Sequence, residues 1–195
     1  MNEFHPFLKL QIQVILLFGL LTIGTNTSAQ TIYLSTGGKC SFYSTTPVEI
    51  INAYSESMSS VFNAETKEIQ FKVPMKTFTF KKALMQEQFN TKYVDSKKYP
   101  FATFKGVINE AIDLTKDGVF EVTATGILNI HGIDKQITEI GTITIKSGKF
   151  NIKNEFKISL KDFRIKIPRI VAANVAEYID IKMVCYYNPY NKAKP

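Results

Sequence analysis

From residue 68 onward, apolar and polar side chains alternate with a period of two in run after run. Ile69, Phe71, Val73 and Met75 alternate with Glu68, Gln70, Lys72 and Pro74, and Ala102, Phe104, Gly106 and Ile108 alternate with Thr103, Lys105, Val107 and Asn109. Phe120, Val122, Ala124, Gly126, Leu128 and Ile130 share a third face, and Ile143 and Ile145 resume it after a short turn. Phe150, Ile152, Phe156, Ile158 and Leu160 form a fourth, set against Asn151, Lys153, Glu155, Lys157, Ser159 and Lys161. Ile179, Ile181 and Met183 form a fifth, against Asp180 and Lys182. A period of two is strand spacing, and one dry face per run is what antiparallel sheets show. The stretch Lys81–Tyr93, with Ala83, Leu84, Met85, Gln86, Glu87 and Gln88, predicts one short helix. A sheet of roughly seven to nine strands with a single wet face must close or be covered, and one short helix cannot cover it. The pattern therefore predicts a mainly β fold, one antiparallel lipocalin-like barrel of about eight strands with the helix capping or flanking it.

The run Gly126–Thr138 reads as a hairpin whose polar turn carries His131 and Gly132. Gly132 supplies the positive φ that tight turns require, the His131 ring can bond local backbone, and Asp134 and Lys135 fit exposed turn positions. Tyr99 precedes Pro100, which favours an extended backbone leading into the next strand. Asp113, Lys116, Asp117 and Gly118 form a polar connection with too few acids for a calcium loop.

The inward faces suit a packed core as well as a cavity. Gly106, Ala124 and Gly126 remove side-chain volume from the inside, which shifts the expectation toward a cavity. Its wall is predicted from the inward phase as Phe71, Val73, Phe104, Ile108, Val122, Leu128, Phe156 and Ile158. A polar head group at the mouth would meet Lys81, Lys82 or Lys92.

Residues 1–29 have the pattern of a signal peptide: Lys9, an apolar run from Leu10 to Gly24, then Thr27-Ser28-Ala29 before the expected cut. The run is too short to cross a bilayer, so no stable membrane insertion is expected after cleavage, and residues 30–195 form one domain in the periplasm or outside the cell. The net charge of +7 comes from lysines scattered along wet strand faces, which does not suggest nucleic acid. His5 lies in the leader, so His131 stands alone, and no metal site, cofactor or catalytic group is expected. Cys40 and Cys185 both fall on inward phases near opposite ends of the mature chain. A disulfide between first and last strands and a pair of separate buried thiols are both compatible with that placement.

The pattern Leu128-x-Ile130-His131-Gly132-x-x-Lys135-x-Ile137-Thr138 resembles the hairpin signature of the YceI-like family, and Lys98-Tyr99-Pro100-Phe101-Ala102-Thr103-Phe104-Lys105-Gly106 is similar to a second signature of that family. The resemblance runs from about Ile32 to Tyr187. Where many relatives have a histidine after the first strands, this chain has Lys39–Thr45, so that residue's role is not carried over. The resemblance implies a non-enzymatic barrel that sequesters or transports a long-chain lipid, polyisoprenoid-like or fatty-acyl. The alternative is a packed barrel acting as a structural or partner-binding envelope protein, and monomer and homodimer are both compatible with either role.

Overall fold

A computed structural model describes residues 32–190; the expected signal peptide, its expected cut after Ala29 and the ends of the predicted domain, 30–31 and 191–195, lie outside the described residues. Eight strands form a closed antiparallel ring: β1 (Ile32–Thr45), β2 (Ile50–Asn63), β3 (Glu68–Pro74), β5 (Phe101–Ile108), β6 (Gly118–Ile130), β7 (Ile133–Lys146), β8 (Lys149–Ser159) and β9 (Tyr178–Pro189). The ring closes because β1 pairs with both β9 and β2. At Pro74 the chain leaves the ladder through a 3-10 turn, Met75–Thr77. A two-residue strand β4 (Thr79–Phe80) then rejoins β2 further along, opposite Tyr54 and Ala53. Proline ends β3 there because it has no N–H to offer the ladder.

The predicted helix is α1 (Ala83–Gln88), continued by one π-type turn over Phe89–Tyr93, and it lies outside the strand ring. Its inward side carries Met85 and Phe89, four residues apart and so on one face. Phe89 packs against Phe42, Phe78 and Phe80 at centroid distances of 5.5, 5.8 and 5.0 Å.

Strand register gathers the β1–β2 turn, the α1 segment, the β6–β7 turn and the long β8–β9 connection at one end, here called the mouth. The far end is plugged by aromatic rings. Phe150 stacks on Tyr187 at 4.8 Å and meets Tyr33 and Phe62 at 4.9 and 6.0 Å. Ser60 Oγ donates to the Gln70 carbonyl at 2.7 Å, so the buried Tyr187 hydroxyl donates to Ser60 Oγ at 2.5 Å. At that end Asp113 accepts from the Thr115 amide within the polar connection, and Asp117 accepts from the Ser147 amide, tying that connection to the β7–β8 turn.

The β6–β7 turn consists of His131 and Gly132 alone, at φ 55° and 72°, with Ile130 opposite Ile133. Two positive φ values in a two-residue loop match the right-handed twist of the flanking strands. Two details depart from expectation. Asp134 and Lys135 are strand residues opposite Asn129 and Leu128, and the His131 ring bonds a distant carbonyl, with Nδ1–H donating to Phe163 O at 3.1 Å. Tyr99 packs edge-on against His131 at 4.6 Å. The two signature segments therefore meet as one joint, which binds the start of β5 to the hairpin. A Cβ on Gly132 would lie 2.5 Å from Tyr99 Cε1, in a backbone region already strained for L residues. Gly132→Ala is expected to cost about 1–3 kcal/mol in urea unfolding while leaving the barrel interior intact.

Both cysteines are buried and free. Cys40 pairs with Met183, so Cys185 lies one diagonal step away beside Gly38, whose added Cβ would come within 2.6 Å of its sulfur. Diagonal neighbours stand roughly 7–8 Å apart, beyond usual disulfide reach. Burial pushes the Cys40 thiol up to about 12 and that of Cys185 up to about 11. Both should resist iodoacetamide at pH 8 in the native protein and react within minutes in urea. Unfolding releases these protons near pH 9, so stability should fall as pH rises from about 9 toward 12, measurable as a falling urea midpoint.

Candidate functional site

A cavity of about 290 Å³ runs inside the ring and is lined from all eight of its strands. Phe71, Val73, Phe104, Ile108, Val122, Leu128, Phe156 and Ile158 all border it, as the inward phase of their strands requires. Cys40, Phe42, Met58, Ile152, Ile181 and Met183 extend the same apolar wall. One water needs only about 10–15 Å³ measured this way, so the space suits a chain rather than stray solvent.

Two of the three small residues have a different role from the one their spacing suggested. Gly106 and Gly126 face each other across β5 and β6 and do not border the cavity. A Cβ on Gly126 would run into the Lys105 carbonyl and the Gly106 Cα, and one on Gly106 into the Thr125 carbonyl and the Phe104 ring. They permit two backbones to approach closely. Ala124, by contrast, does line the space.

The mouth is roofed from three segments. Met85, Phe89, Tyr93 and Val94 come from the helix segment, while Ile165, Ile167, Val171 and Val175 come from the β8–β9 connection with its 3-10 turn Arg169–Asn174. Glu49 of the β1–β2 turn joins them, accepting from Lys82 Nζ at 2.8 Å and Asn174 Nδ2 at 3.1 Å. These two donors hold its carboxyl below the usual carboxylate range, Lys82 most strongly.

Lys81, Lys82 and Lys92 do not border the cavity. They lie on the exposed side of the helix segment, and Lys82 is engaged by Glu49. The mouth-end connections 46–49, 75–100, 131–132 and 160–177 together hold ten lysines and arginines against five acids. Those of the far end (64–67, 109–117, 147–148) hold two against four, so basic charge is concentrated outside the mouth.

Polar groups that do face inward were not singled out by the sequence pattern. The β7–β8 ladder runs from Lys146 opposite Lys149 to Gly141 opposite Asn154 and stops, while β8 continues along β9. The wall thus has a lateral window between Ile133–Ile140 and the second half of β8. Asn154 Nδ2 donates to the Ile140 carbonyl at 2.7 Å at its foot. At its upper edge, His131 reaches Phe163 and Lys135 lies 3.9 Å from Asp162. Glu139 and Asn154 flank the window and border the cavity. Among the described residues no group of three His, Cys, Asp or Glu side chains is placed to hold a metal.

The chain matches the model of a family described as the YceI-like domain over residues 35–186. Its fold is similar to that of a polyisoprenoid binding domain from Saccharophagus degradans implicated in plant cell wall breakdown, with a TM-score of 0.70 at 14% identity over 83% of this chain and 99% of that one. It is also similar to Burkholderia cenocepacia BcnA, at 0.65 and 19% over 76% and 95% of the two chains. A YCEI protein from Campylobacter jejuni gives 0.54 and 20% over 70% and 83%. No curated protein sequence matches the chain.

Proposed function

This chain belongs to the YceI-like domain family, and from that premise we propose that its barrel holds the hydrocarbon of one long-chain amphiphile, polyisoprenoid-like or fatty-acyl, for sequestration or transport outside the cytoplasm. The observation that carries the reading is the cavity itself: an apolar space lined by inward residues of all eight ring strands, with aromatic rings at one end of the barrel and the helix segment and β8–β9 connection roofing the other. The ligand class named for the Saccharophagus degradans domain agrees with it.

Shape and apolarity suffice for such a role. Each methylene transferred from water gains about 0.8 kcal/mol, so ten carbons supply roughly 8 kcal/mol. That offsets several kcal/mol of lost translational and rotational freedom, and longer chains gain more. A binding role needs no catalytic group, and the mostly apolar wall suits it. A packed structural barrel would need side chains where this one has open space.

Titration with a fluorescent long-chain acyl or prenyl probe tests the reading. One probe per chain, displaced by unlabelled chains with affinity rising with chain length, is the expected result. Absence of binding, or affinity independent of chain length, contradicts it.

A further inference from the structure

Glu139 breaks the chemistry of the surface it belongs to. It shares the inward phase of β7 with Ile137, Gly141 and Ile143, while its neighbours Thr138 and Ile140 are exposed. Ala124 stands opposite on β6, and Phe156 and Ile158 border the same space from β8. Among the described residues Glu139 makes no ion pair and no hydrogen bond, whereas the other acid bordering the cavity, Glu49, accepts from Lys82 and Asn174. The cation nearest along β7, Lys135, is turned to Asp162. Lys72, which borders the cavity from β3, lies over the Phe101 ring at 3.7 Å. Burial pushes the Glu139 carboxyl up from its usual range. Half-buried in an apolar wall, the carboxyl is hydrated while the barrel is empty, and a chain that enters strips that water unless its own polar end replaces it.

The second polar group at the window narrows what that partner is. Asn154 spends its Nδ2 on the Ile140 carbonyl, which leaves its Oδ1 as an acceptor on the same cavity that Glu139 borders. Two acceptors without a neighbouring cation favour a donor and repel an anion. Resting on the lipid-holding reading above, we infer that Glu139 and Asn154 form a head-group site in the cavity wall. It takes an amphiphile whose polar end donates hydrogen bonds and bears no negative charge, a long-chain alcohol, primary amide or amine, in preference to a carboxylate or phosphate. The hydrocarbon then runs down the barrel toward the aromatic plug while the polar end rests at the window.

The test is displacement of the fluorescent chain probe by octadecanol, octadecanamide, octadecylamine, octadecanoate and octadecyl phosphate, below their aggregation limits, from the wild type, Glu139→Gln and Glu139→Leu. The wild type should bind the amide and amine about tenfold or more tighter than the carboxylate, the worth of one hydrogen bond to a charged group. Glu139→Gln should keep the alcohol and amide, weaken the amine and admit the carboxylate. Glu139→Leu should keep the probe but lose discrimination among head groups. Tighter binding of carboxylate or phosphate by the wild type would place the head group at the external lysines and overturn the site. An unchanged ranking in both variants overturns it as well. Failure of the probe itself to bind the wild type is a different outcome, which removes the lipid-holding reading and the head-group site with it.

Discussion

Phe156→Asp is expected to abolish uptake of a long-chain probe, weakening it at least a hundredfold, while the protein still folds. Phe156 borders the cavity but is only half-buried, so the variant can keep its carboxylate hydrated in the empty barrel. Binding then loses a phenyl contact of about 1.5–3 kcal/mol and must also strip water from a charge, costing a few kcal/mol more. Together these exceed the roughly 2.7 kcal/mol of a hundredfold change. Phe104→Asp should abolish uptake too, but Phe104 is buried, so its loss of binding will be mixed with loss of stability. Val107→Asp is the matched control, since Val107 lies on the outer face of the same strand at 39% exposure. Its binding should equal the wild type's. Equal binding by Phe156→Asp would remove the cavity from the function.

The second large effect is at the plugged end. Phe150 is 4% exposed and touches three rings, Tyr33, Phe62 and Tyr187. Phe150→Ala should destabilise the protein by about 3–5 kcal/mol, from lost transfer energy plus an unfilled void. For a chain of this size that lowers the melting temperature by roughly 10 °C. The Tyr187 hydroxyl makes the site harder to repack, because it must stay bonded to Ser60. A loss below about 1 kcal/mol would show that the rings do not close the barrel as a unit.

Strand alternation made the wall legible. Phe71, Val73, Phe104 and Ile108 on β3 and β5 alternate cleanly with polar neighbours, and a period of two leaves no choice of face once one face is dry. The same logic failed on β7, where Ile137, Glu139 and Ile140 put apolar residues on both phases, so the inward carboxyl was visible only after Ala124 was found opposite it. Gly106 and Gly126 looked like missing volume because sequence shows an absent side chain but not the backbone that comes near it. Phe163, Ile165 and Ile167 alternate like a strand, yet they lie in the β8–β9 connection, where Phe163 is buried and Ile165 and Ile167 roof the cavity. The composition of the helix segment predicts a helix but not which side faces the barrel: Met85 and Phe89 take the inward side, and Lys81, Lys82 and Lys92 stay outside the cavity.

The most direct test of a chain-holding barrel is an electron-density map of protein purified from its own cells without added lipid or detergent. Continuous tubular density bordered by Phe104, Phe156 and Ile158, with its thicker end at Glu139, is the expected result. A cavity closed by repacked side chains, or filled by separate waters bonded to the wall, would contradict it.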